Sequence, residues 1–181
     1  LAWTTTPWTL PSNLALNVHP DVDYVEIEDL ETKVHYVLAK ERLQYYYDVD
    51  EDCKIISTMK GKELAGAQYE PLFPFFKDHK NAFRILAAEY VTTSEGTGIV
   101  HSAPAFGEDD YQSCLANGID LVDPVDEEGR FTDQVPPYKG MHVKEADKHI
   151  IKDLKKQGSL FRHSTIVHSY PYCWRTDTPL I

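Results

Sequence analysis

The sequence predicts a β-rich α+β domain, a barrel with flanking helices. Three observations carry that prediction. Short stretches rich in Val, Ile, Thr and Tyr recur along the chain, only two segments have helical periodicity, and prolines at 71, 74, 124, 136 and 137 punctuate the connections.

Residues 22–27 (Val-Asp-Tyr-Val-Glu-Ile) and 33–38 (Lys-Val-His-Tyr-Val-Leu) alternate in part, and the polar break from Asp29 to Thr32 predicts a hairpin between them. Further strands are expected at 53–59, 83–92, 98–101 and 160–169, where β-branched and aromatic residues suit a pleated, half-buried surface. One helix is expected after Gly107, because Glu108, Asp109 and Asp110 favour the positive end of a helix dipole. A second is expected over 144–157, with Ala146, Ile150, Ile151 and Leu154 on one face and Gly158 as the stop.

The 181 residues suffice for one well-packed core, so 1–181 is read as a single domain, and the start at Leu1 and the end at Ile181 read as a piece cut from a longer protein. No apolar run approaches the roughly 20 residues of a membrane span. Twenty-nine acidic residues against 18 basic ones give a formal charge of -11. A general nucleic-acid surface needs clustered Lys and Arg, so any RNA contact is expected at a short end only. Cys53, Cys114 and Cys173 are odd in number and far apart, which suggests neither a disulfide framework nor a Cys-x-x-Cys metal site.

Two segments carry candidate chemistry. Trp3-Thr4-Thr5-Thr6-Pro7-Trp8-Thr9-Leu10-Pro11-Ser12-Asn13 offers uncharged hydroxyls that can orient a water or a ribose hydroxyl beside an ester. Taken alone it also reads as a strand followed by a turn. Gly96-Thr97-Gly98-Ile99-Val100-His101 through Asp110-Tyr111 combines glycines that permit close approach, a histidine that can titrate near neutral pH and a carboxylate suited to an α-ammonium. Taken alone, its acids are ordinary helix capping and its histidine structural. A third, aromatic stretch, His168-Ser169-Tyr170-Pro171-Tyr172-Cys173-Trp174-Arg175, reads as core or a domain boundary. Nucleophile elbows, phosphate-binding loops and His-Glu-x-x-His are absent, which argues against those enzyme classes.

Together, and in this order, the segments resemble the editing insertion of isoleucyl-tRNA synthetases, closest in look to the cytoplasmic eukaryotic type. The first is similar to the family's threonine-rich peptide, the second to its other editing motif, and the third to the stretch that returns to the synthetic domain. The valyl and leucyl enzymes, which typically carry Thr-Thr-Arg-Pro-Glu, differ at Pro7 and Trp8. Cys173-Trp174-Arg175 is followed by Thr176 rather than by the second cysteine of some relatives, so no zinc is expected.

The resemblance implies an inserted β-barrel that hydrolyses valine from mischarged isoleucine tRNA, and it leaves open whether valyl-adenylate is cleared in the same pocket. Isoleucyl enzymes are themselves the standard illustration of the need: a synthetic site tells isoleucine from valine only about 150-fold, so a second, smaller sieve follows. On this reading Thr4, Thr5, Thr6, Asn13 and Asp110 form the catalytic set. Trp8, Gly98, Ile99, Val100, His101 and Asp110 bind substrate, with Asp110 on the ammonium and His101 and Trp8 bounding the side-chain pocket. The implied partners are the 3′ CCA end of the tRNA and the rest of the synthetase, whose synthetic site uses ATP and magnesium. No metal or cofactor is expected in this domain, which is expected to be monomeric and cytoplasmic. The alternative is a binder of tRNA 3′ ends that has lost hydrolysis.

Overall fold

The computed structural model describes residues 1–165 together with Trp174 and Arg175. The chain divides into two compact units, Leu1–Pro124 and Val125–Ile181. In the first, β1 (Ala15–Val18), β2 (Asp23–Asp29), β3 (His35–Ala39), β4 (Cys53–Lys60), β5 (Arg84–Ala87) and β6 (Ile99–Ser102) are joined by one helical turn, α1 (Gly61–Leu64), and followed by α2 (Glu108–Ala116). The second contains α3 (Val143–Gln157).

The six strands form two three-stranded sheets, ordered β5-β1-β6 and β3-β2-β4. The α+β class is as the sequence predicts, whereas the described strands stay in two sheets and do not close into a barrel. The expected hairpin is β2–β3, antiparallel. Its turn forms because Asp29 Oδ1 accepts the backbone N–H groups of Glu31 and Thr32 at 3.0 and 2.8 Å, the local bonding that makes aspartate a turn residue. The expected strand at 83–92 ends at Ala87. The Ala88 N–H then donates to Val18 at the end of β1, and the chain turns. That turn carries Tyr90 towards α2, where its hydroxyl meets Asp110. Residues 160–165 form no strand, and the remainder of that expectation, like most of the aromatic stretch at 168–175 including Cys173, lies outside the described residues.

The strand that sequence reasoning missed, β1, is the centre of its sheet. It pairs in parallel with β5 and antiparallel with β6. The Leu14, Ala15, Phe83, Leu86, Cys114 and Ile119 side chains pack in one core cluster, and Val18, Tyr24, Ala39 and Ile99 in another. In the second unit α3 is capped at its start by His142, whose Nδ1 accepts the Lys144 N–H, and at its end by Gly158 with φ 73°. It buries Val143, Ala146, Ile150 and Leu154. Among the described residues no helix is long and apolar enough to cross a membrane.

Candidate functional site

The threonine segment begins beside β6. The Trp3 N–H donates to the Ile99 carbonyl at 3.0 Å, and Trp3 bridges to Val100. Pro7 then opens a 3-10 helix over Pro7–Ser12, with proline at a position where no N–H is needed. This replaces the strand-and-turn alternative. Gly96, with φ 64°, lets the Trp3 ring lie against the backbone, where an added Cβ would come within 2.7 Å of it.

Between this segment, the end of β6 and the first turn of α2 lies a cavity of about 180 Å³. Its walls include Thr4, Thr5, Thr6, Val100, His101 and Asp110. That is smaller than the roughly 300–1,000 Å³ of clefts that enclose whole drug-sized ligands, so it suits a small group at the end of a larger molecule. Trp3, Thr9, Ala103 and Phe106 complete the lining and were not singled out in the sequence.

His101 is buried and fully engaged. The Thr9 hydroxyl donates to the Thr6 carbonyl at 2.8 Å, and its oxygen lies 2.8 Å from His101 Nε2. On the other side Asn13 Nδ2, a donor, lies 2.8 Å from His101 Nδ1. The Tyr69 hydroxyl donates to Asn13 Oδ1 at 2.6 Å, which fixes which end of the amide faces the ring. These bonds together select the neutral imidazole with its proton on Nε2. Burial lowers the His101 pKa to about 4. The expectation of titration near neutral pH is therefore corrected: this ring is a neutral, fixed wall. Asn13, expected in the catalytic set, spends its amide on His101, Tyr69 and the Ala15 carbonyl, and so acts beneath the cavity wall.

Asp110 is the charged group in the lining. Its Oδ2 accepts the Ala103 N–H at 2.9 Å and its Oδ1 accepts the Tyr90 hydroxyl at 3.0 Å. Burial pushes its pKa above the ordinary carboxylate value, while those two donors act in the opposite direction. A half-buried carboxylate that burial disfavours is a good receptor for a cation, because ion pairing relieves the cost of its charge.

Three expected substrate-binding residues lie elsewhere. Trp8 is buried, edge-on to Phe106 with centroids 4.7 Å apart, and is outside the cavity lining. Ile99 belongs to the core around Val18, Tyr24 and Ala39. Gly98 has φ 75°, and an added Cβ would lie 2.4 Å from the Ala39 Cβ. Its role is close packing between the chain segments. Thr4, Thr5, Thr6, Val100, His101 and Asp110 are brought together as expected.

No protein-family model matches the chain. Among curated proteins, isoleucine–tRNA ligases match along its whole length: that of Bdellovibrio bacteriovorus at 55% identity over 184 residues, that of Nocardia farcinica at 56% over 182, and the cytoplasmic one of Caenorhabditis elegans at 50% over 189. Over its whole length the chain is thus similar to one segment of the isoleucyl-tRNA synthetases. It spans 17% of the Bdellovibrio and Nocardia ligases and 16% of the nematode one. The bacterial matches are as close as the nematode one, so these identities give no preference for a cytoplasmic eukaryotic type. Among solved structures, the cytosolic leucyl-tRNA synthetase editing domain of P. knowlesi superposes with a TM-score of 0.64 at 15% identity, covering 88% of this chain and 82% of that one. The P. falciparum counterpart gives 0.66 at 15% identity, covering 87% and 76%. The segment of an isoleucyl synthetase represented by this chain thus has the fold of a synthetase editing domain.

Proposed function

We propose that this domain hydrolyses the ester of valine mischarged onto isoleucine tRNA, as the editing site of an isoleucyl-tRNA synthetase. The observation that carries the reading is the Asp110 carboxylate set into the wall of a small cavity beside three threonines. An aminoacyl ester presents a free α-ammonium next to its reacting carbonyl. Asp110 binds that ammonium by a charge-assisted hydrogen bond, which fixes the carbonyl relative to the threonine segment. The side chain of valine then faces Val100 and the neutral His101 ring, whose immobility sets the size limit against isoleucine.

Water adds to the ester carbonyl carbon, and the tetrahedral intermediate breaks its bond to the ribose oxygen. That oxygen leaves with a proton taken from the attacking water, giving free valine and tRNA. The Thr4, Thr5 and Thr6 hydroxyls position the water and the terminal ribose. No protein nucleophile is required, because the ester is already activated and positioning supplies much of the rate. The chemistry asks for no metal or cofactor here; ATP and magnesium serve the synthetic site of the parent. The 3′ end of the tRNA is the one portion of RNA this acidic domain contacts, and the remainder of the synthetase carries the rest.

The test is deacylation of valyl- and isoleucyl-tRNA, both on isoleucine tRNA, by the full-length synthetase and by this chain. Selective release of valine supports the reading. Equal release of both amino acids removes the size limit, and binding of the aminoacylated end with no release in the full-length enzyme establishes the binding-only alternative.

A further inference from the structure

Tyr90 stands outside the motifs that mark the site, yet it meets the charged group of the cavity directly. Its hydroxyl donates to Asp110 Oδ1 at 3.0 Å. The direction of that bond is enforced from behind. Asn17, fully buried at the centre of its sheet, donates from Nδ2 to the Tyr90 oxygen at 2.7 Å. An amide N–H cannot accept, so the phenol proton has to point away from Asn17 and towards the carboxylate. The amide of Asn17 is oriented in turn, because the Ser113 hydroxyl on α2 donates to its Oδ1 at 3.1 Å. The row Ser113, Asn17, Tyr90, Asp110 therefore has one consistent direction, and it starts and ends on the same helix.

We propose that Tyr90, aimed by Asn17, is a positioning residue for Asp110: it holds the carboxylate in the cavity and keeps it ionised to receive an ammonium group. This rests on the reading of Asp110 as the ammonium receptor, and it adds residues that no editing motif contains. Two donors hold the carboxylate, one on each oxygen. The Ala103 N–H comes from the chain after β6 and is fixed by the backbone, so Tyr90 and, with a smaller effect, Ser102 are the side chains through which sequence can tune the charge. Burial and the adjacent Asp110 raise the Tyr90 pKa, so it remains a donor at every working pH.

The other groups around Asp110 do not duplicate this role. Asp109, on the same helix, opposes ionisation by its like charge. The Ser102 hydroxyl at the end of β6 favours ionisation, but it also faces the Cys114 thiol at 3.6 Å. The Cys114 thiol is itself pushed up by burial and stays neutral. His101, across the cavity, is neutral.

The experiment is a pH titration of the Asp110 carboxyl carbon by NMR in the 181-residue chain, with Tyr90→Phe and Asn17→Ala beside wild type. Loss of a hydrogen bond to the ionised form moves the Asp110 midpoint up by about one pH unit in Tyr90→Phe. In Asn17→Ala the phenol remains but is free to turn, so the midpoint moves the same way by less. In the full-length synthetase, the acid limb of kcat/KM for valyl-tRNA deacylation moves up with it. The loss is about tenfold on that limb and under twofold on the high-pH plateau. A merely structural role lowers stability and leaves the midpoint where it was. Midpoints that coincide with wild type in both variants overturn the proposal. If the wild-type synthetase releases no valine while the Tyr90→Phe midpoint still rises, the editing reading fails and the positioning of Asp110 stands.

Discussion

Asp110→Asn isolates charge from scaffold, and the structure shows why the more obvious alanine variant does not. In Asp110→Ala the Ala103 N–H and the Tyr90 hydroxyl both lose their acceptor. At about 1–3 kcal/mol for each donor left unsatisfied, that is a substantial share of the roughly 5–15 kcal/mol by which a domain is stable. Loss of activity there would be ambiguous. In Asp110→Asn the amide oxygen keeps the Ala103 N–H, and only the Tyr90 hydroxyl, aimed at this position by Asn17, meets an NH2 in place of its acceptor. At most one hydrogen bond is lost, about 0.5–1.5 kcal/mol. Removing a carboxyl whose pKa burial has raised offsets part of it. The sign follows from that shift: a raised carboxyl pKa means that stability falls as pH rises from the unfolded towards the folded pKa and stays lower above it. Asparagine removes that decline. The substrate feels the opposite change, because truncating one partner of a buried charge pair costs about 2–5 kcal/mol. That corresponds to roughly 30- to 4,000-fold in kcat/KM for valyl-tRNA deacylation. The assay is single-turnover release of valine, with thermal unfolding of the same preparations. A folded Asp110→Asn protein that clears valine within threefold of wild type would refute the role of the carboxylate.

His101 supplies a second prediction, in acid. Its folded pKa of about 4 lies below the ordinary histidine value of 6.5, so its contribution to stability is complete above pH 6.5 and is lost as pH falls towards 4. The loss is about 3 kcal/mol, read as a fall in the urea midpoint that is absent from His101→Gln. His101→Ala should open the size limit, so that isoleucyl-tRNA is cleared at a measurable rate; continued sparing of isoleucine would count against the wall. Gly98→Ala should destabilise the fold by about 2–4 kcal/mol through its positive φ and its overlap with Ala39, measured as a lower Tm. Tyr69→Phe removes the donor that sets the Asn13 amide and should cost about 1–2 kcal/mol. Unchanged melting there would show the amide to be held without it.

The sequence made the β2–β3 hairpin, α2 and α3 legible because each has a local cause: an aspartate turn, an acidic first turn, an apolar stripe ended by glycine. β1 has none. It is four residues long, with Ala15 and Asn17 among them, and it is a strand because β5 and β6 hydrogen-bond to both its edges. The cavity was legible in the same proportion. Threonines, Val100, His101 and Asp110 stand out in two recognisable motifs by their chemistry, while Trp3 and Phe106, in the same two segments, carry no such signal and line the site as apolar wall. Tyr90 is placed by the turn after Ala87, which no periodicity marks. Trp8, Gly98 and Ile99 sit within the same motifs and yet serve the core, so motif membership alone does not separate ligand contacts from the packing beneath them.

The hydrogen bond between Asn13 and His101 closes 88 residues of chain. During synthesis at about 5–20 residues per second, His101 follows Asn13 from the ribosome by roughly 4–18 s. For that interval the threonine segment has neither its wall nor its carboxylate. Asp110 comes later still and is useful only once α2 has turned Ser113 back towards β1. The hydrolysis proposed for this domain therefore has to wait until the sheet around β1 is complete.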